Sequence, residues 1–177
     1  MGYALNSLGN LPIDDGVDVY IFVVDGGWEG GHGQKIRDNF NRIAREIGSR
    51  AVIVSGLHDE EWTGEIAAKY FGSDHDLLFK ALPALLVTDA HPEQLAADSL
   101  RLIVPLADVE SRVGSWDHFF GLLVDYARGR DNTLPQKFQR PSEILSGAND
   151  ILELKPNIWG IGINLNALVA RFGRSRR

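Results

Sequence analysis

Five glycines, Gly26, Gly27, Gly30, Gly31 and Gly33, stand between an apolar run, Val19–Val24, and a helical pattern that opens at Gln34. A glycine-rich turn leading into a helix exposes backbone N–H groups and the positive end of the helix dipole. It is therefore suited to hold an anion. The phosphate-cradling signatures are absent: neither G-x-x-x-x-G-K-[ST] nor G-x-G-x-x-G is met, and Lys35 is not followed by Ser or Thr. Two readings of the segment follow. It is a partner-facing loop, or it is a small-ligand or anion site in which Glu29, His32 and Lys35 surround the ligand. Glu29 and His32, three apart at the helix start, are also the candidate catalytic pair, because a carboxylate beside a neutral imidazole can move a proton. No nucleophile accompanies them. The chain is expected not to be an enzyme of the disulfide-exchange kind.

His32, His58, Asp59, His75 and Asp76 are the residue types that ligate zinc or a harder cation. They lack H-x-x-x-H or H-E-x-x-H spacing, and the five histidines, with His91 and His118, are scattered over loop-like and helix-edge positions. Surface histidines, no metal and no cofactor are expected. Cysteine is absent from all 177 residues. That excludes a disulfide framework, thiolate-held zinc, an iron–sulfur cluster and a thiol nucleophile. Trp28 in the glycine loop is a candidate binding anchor. Trp62, Trp116 and Phe119 lie at helical spacing with apolar neighbours and read as packing.

Eighteen basic residues against 24 acidic ones leave a formal charge of −6, which argues against non-specific binding to nucleic acid. The charge is uneven. Residues 1–30 carry Asp14, Asp15, Asp18, Asp25 and Glu29 and no Lys or Arg, whereas Arg171, Arg174, Arg176 and Arg177 crowd the end. The basic end reads as a solubilising tail or as a clip onto an acidic partner. The longest apolar stretches, Val19–Val24, Ala84–Val87 and Leu102–Pro105, fall far short of the ~20 residues that cross a bilayer. Met1–Pro12 lacks the basic-then-apolar pattern of a signal peptide. A soluble, cytoplasmic protein without a membrane or nucleic-acid partner is expected.

The elements that position these residues follow from periodicity. Val19–Val24 and Ala51–Val54 read as strands buried on both faces. Gln34–Ile47 places Ile36, Phe40, Ile43, Ala44 and Ile47 on one helical face, with Gly48 as cap. Asp59–Phe71 is a second helix, ending at Gly72. Leu82–Thr88 and Leu100–Val104 are strands forming an antiparallel edge hairpin, with a short helical turn in the link between them. Trp116–Arg128 is a helix capped by Ser115. Residues 129–142 read as a linker or surface loop. Ser142–Leu154 is weakly helical. Ile158–Asn166 alternates, with Ile161, Ile163 and Leu165 on one face. Ala167–Phe172 is a last helical turn. The order β-α-β-α-β-β-α implies an α/β fold with a mixed central sheet in residues 1–130, followed by a C-terminal extension in 131–177. Trp159, Ile161 and Ile163 are candidate partner anchors, by packing on the domain or by strand addition to a sheet edge.

Three features of this pattern resemble the thioredoxin-like superfamily over about residues 17–130. Trp28-Glu29-Gly30-Gly31-His32 stands where that family carries Trp-Cys-Gly-Pro-Cys. Lys69-Tyr70 ends a helix ahead of Pro83, which opens a strand as the family's cis-proline does. A further strand and a closing helix come after it. The resemblance implies a thioredoxin-like fold and a shallow groove between the Trp28 loop and Pro83 that accepts an extended peptide. Glu29 and His32 replace the two cysteines, so dithiol–disulfide exchange is closed to this chain. What the resemblance leaves is a non-redox module for protein binding, assembly or self-association through Trp28, Gly30, Gly31 and Pro83. The tail is similar in character to C-terminal segments of bacterial multi-component systems.

Overall fold

The computed structural model describes residues 1–27, 31–96 and 99–138. Its elements are β1 (Gly2–Leu5), β2 (Val19–Val24), α1 (His32–Glu46), β3 (Ala51–Gly56), α2 (Asp59–Phe71), α3 (Asp76–Phe79), β4 (Ala84–Thr88), β5 (Arg101–Pro105), α4 (Val109–Val113), α5 (Trp116–Ala127) and α6 (Thr133–Phe138). The strands form one five-stranded mixed sheet in the order β1-β3-β2-β4-β5. β3 runs parallel to both β1 and β2, while β4 is antiparallel to β2 and β5 antiparallel to β4. Ile21 at the centre of β2 faces Ile53 on one side and Val87 on the other.

The β-branched and aromatic run of β2 is buried at every position because both sheet faces are covered. Val19, Ile21 and Val23 pack beneath Ile36 and Ile43 of α1, Ile47 at its C-cap, and Phe119 and Leu123 of α5. Tyr20, Phe22 and Val24 pack beneath Trp62, Ile66 and Tyr70 of α2. The two-residue alternation of a strand divides one continuous apolar run between two cores. Ser115 caps α5 by accepting the His118 N–H, as its sequence position implies. α1 ends on Ile47, whose N–H bonds to the Ile43 carbonyl, and Gly48 follows at φ 85°, a conformation that favours glycine.

Several expectations need correction. The sequence reading assigns no strand before residue 19, yet Gly2–Leu5 pairs with β3 at the sheet edge. Its alternate residues are exposed, so no apolar run marks it. Gly2 is required there, since a Cβ would stand 2.7 Å from the Ala44 Cβ. Residues 129–142 are not wholly a loop. Thr133–Phe138 is helical, and Leu134 and Phe138, one turn apart, are buried against the α1/α5 side of the sheet. Pro135 is tolerated because the first-turn N–H groups of a helix have no partner within it. The strand expected from Leu82 begins at Ala84, and the next spans Arg101–Pro105. The readings for Ser142–Leu154, Ile158–Asn166 and Ala167–Phe172 fall outside the described residues. Among the described residues no helix is long and apolar enough to cross a membrane.

Candidate functional site at the β2–α1 turn

Val24, the last residue of β2, pairs with Ala84, the first of β4. That register brings Asp25 and Pro83 to the same end of the sheet. The Leu82–Pro83 bond is cis, and the Pro83 carbonyl accepts the Leu106 N–H at 2.9 Å. The start of α1, the entry to β4 and the exit from β5 therefore gather at one end.

The exit of β2 is pinned by α2. The Trp62 indole N–H donates to the Val23 carbonyl at 2.8 Å, and the Thr63 hydroxyl donates to the Asp25 carbonyl at 3.2 Å. Asp25 is 3% exposed. Its carboxylate meets the Arg37 guanidinium at 2.8 Å, and Arg37 reaches Asp59 at the start of α2 at 3.2 Å. One arginine thus ties β2, α1 and α2 together. The same carboxylate lies hard against the first turn of α1, where a Cβ on Gly33 would overlap Asp25 Oδ2. Gly31, the N-cap of α1, sits at φ 79° and supplies no side-chain cap. A backbone-held anion at this helix start would meet the negative charge of Asp25, which disfavours the anion-site reading of the glycine loop.

A second cluster forms on the other side of α1. The His32 ring stacks on the Trp116 indole, with centroids 5.8 Å apart and planes 20° from parallel. The Lys35 ammonium lies 4.8 Å from the centre of the same indole and 3.2 Å from Glu110 Oε1. Lys35, by hydrogen bond and by charge, holds the Glu110 carboxyl below its usual range, and Trp116 and His32 add to the effect. His32 Nδ1 is buried and makes no hydrogen bond.

Of the residues singled out in the sequence, Gly31, His32 and Pro83 come to one end of the sheet. Trp28, Glu29 and Gly30, and likewise Trp159, Ile161 and Ile163, lie outside the described residues. The packing role of Trp116 is only partial, because it is half-buried and carries His32 and Lys35. Among the described residues no three His, Asp or Glu side chains converge as metal ligands. His91 departs from the surface expectation at 2% exposed. Its Nδ1 accepts the Glu93 N–H at 3.1 Å, so Nε2 carries the proton and donates to the Leu11 carbonyl at 3.1 Å. Its place is set by the N-terminal segment, which no local spacing could reveal. Sequence reasoning passed over Asp25, Arg37, Glu110 and Phe79. The legible signal was an acid directly after a fully apolar strand, with an arginine one helical turn beyond Gly33. Phe79, four residues before Pro83, is 48% exposed.

Comparison with known proteins finds no family model, no curated protein and no solved structure that matches the chain.

Proposed function

We propose that the chain is a thioredoxin-like module without redox chemistry, and that it binds a protein partner at the sheet end shared by the start of α1 and Pro83. The observation that carries the reading is the shared location of Gly31, His32 and Pro83, fixed by the Val24–Ala84 register. The strand order β1-β3-β2-β4-β5, with its two parallel and two antiparallel pairings, supports the thioredoxin-like assignment. A chain with no cysteine supplies no thiolate, so thiol exchange is not the use of this end. Phe79, four residues ahead of Pro83 in the chain, is an exposed aromatic of the kind that anchors a partner. The clamp of Asp25, Arg37, Trp62 and Thr63 gives the turn a rigid base, which lowers the ordering cost of binding.

Affinity capture from the native cell tests the proposal with two variants of equal character. Phe79→Asp alters the exposed aromatic four residues ahead of Pro83. Ile13→Asp alters an exposed side chain two residues beyond Leu11, which His91 holds at the opposite end. A partner lost with Phe79→Asp and kept with Ile13→Asp is the expected result. An identical set of captured proteins for both variants overturns the reading.

A further inference from the structure

We propose that His32, Lys35 and Trp116 form a receptor for an acidic side chain of the protein partner, and that Glu110 fills it in the free protein. The inference rests on the partner-binding reading above and names the chemistry of one contact. Two helices, α1 and α5, contribute the three groups, and a third, α4, contributes the carboxylate. The Lys35 ammonium touches both the Trp116 face, at 4.8 Å, and Glu110 Oε1, at 3.2 Å. A cation on an aromatic face beside a carboxylate is a site matched in charge to an anion.

The occupant is replaceable. The Lys35 and Glu110 side chains are 44% and 60% exposed, and an ion pair in that setting is held weakly. The His32 ring completes the wall of the site by stacking on the same indole. Asp25 lies against Gly33 in the first turn of α1 and answers the positive end of that helix from within the fold. A carboxylate outside the fold is therefore met by the Lys35 side chain and not by backbone N–H groups. An acidic partner segment gains the contact by exchanging with Glu110, whose exposed carboxylate returns to water.

The test titrates the whole protein with hexaglutamate and, in parallel, with hexaglutamine, following the Trp116 indole N–H resonance. Saturable shifts with hexaglutamate alone are expected. Glu110→Gln removes the competitor and tightens binding by about two- to fivefold, the range set by exposed ion pairs. Lys35→Gln abolishes it. Asp117→Asn, an equal change of net charge at an exposed α5 position, leaves the affinity unchanged. No indole shift in either wild type or Glu110→Gln overturns the inference, as does equal tightening by Glu110→Gln and Asp117→Asn. Partner capture that still depends on Phe79 while hexaglutamate fails refutes the acidic contact alone. Loss of the difference between Phe79→Asp and Ile13→Asp refutes the partner reading itself.

Discussion

Replacing Gly33 with alanine decides whether the buried Asp25 carboxylate governs the start of α1. In an unobstructed helix, glycine to alanine stabilises by about 1 kcal/mol. At Gly33 the new Cβ overlaps Asp25 Oδ2 and comes 3.0 Å from its Cγ. Asp25 is 3% exposed. Accommodating the methyl means pulling the carboxylate off Arg37, now 2.8 Å away. Breaking a buried ion pair costs about 3–5 kcal/mol. Arg37 is 37% exposed and keeps Asp59 as a second partner, so the loss falls toward the low end. Set against the helix gain, a net destabilisation of about 2 kcal/mol is expected. Urea unfolding at constant slope reads it. Gly64 in α2 and Gly121 in α5 are exposed, and no atom lies within 4 Å of a built Cβ. Their alanine variants should therefore gain about 0.5–1 kcal/mol. In an Asp25→Ala background the penalty of Gly33→Ala should vanish. A Gly33→Ala protein as stable as Gly64→Ala would refute the reasoning.

Trp62→Phe leaves the Val23 carbonyl without its indole donor and should cost about 1–3 kcal/mol in the same assay. His91→Leu strands both the Leu11 carbonyl and the Glu93 N–H, for a loss of about 2–4 kcal/mol, and a neutral result would contradict the hydrogen-bond assignment. Glu110 titrates below its ordinary value of 4.5 in the folded protein. Its contribution to stability is therefore complete above that value and lost as pH falls through the lower folded midpoint; carboxyl NMR should show the midpoint rising in Lys35→Met. Burial raises the Tyr70 phenol, and burial together with Asp14, Asp18 and Asp15 raises Tyr20. Both phenols favour the folded state fully below about pH 10, and that support is lost as pH rises beyond it. Phenolate absorbance in Tyr70→Phe should consequently lack a component that otherwise appears only on alkaline unfolding. Removing residues 155–177 should weaken partner capture if Trp159, Ile161 and Ile163 are anchors, and unchanged capture would dismiss them.

The fold was most legible where one element buries one periodic pattern. Trp62, Ile66 and Tyr70 repeat at four-residue spacing, and α2 begins and ends where that spacing says, at Asp59 and Phe71. β1 was hidden because an edge strand buries only half of each alternate residue. α6 was hidden because two buried residues one turn apart make no periodic run. Gly31, His32 and Pro83 were legible as candidates from local pattern alone. The resemblance to the thioredoxin-like superfamily implied that they share one end; the register that brings them there, Val24 against Ala84, is a long-range pairing that spacing alone does not give. The Arg37 clamp and the Lys35–Glu110–Trp116 cluster join residues up to 81 positions apart in the chain, so spacing carries no trace of either.

A photoreactive phenylalanine analogue at position 79, compared with one at position 13, tests the central claim most directly. Both side chains are exposed, at 48% and 58%; Phe79 stands four residues ahead of Pro83 in the chain and Ile13 two residues beyond Leu11, the partner of His91. Irradiation in the native cell should give a discrete protein adduct from position 79 and none from position 13. Adducts from position 13 alone, or the same adducts from both, would contradict a partner site beside Pro83.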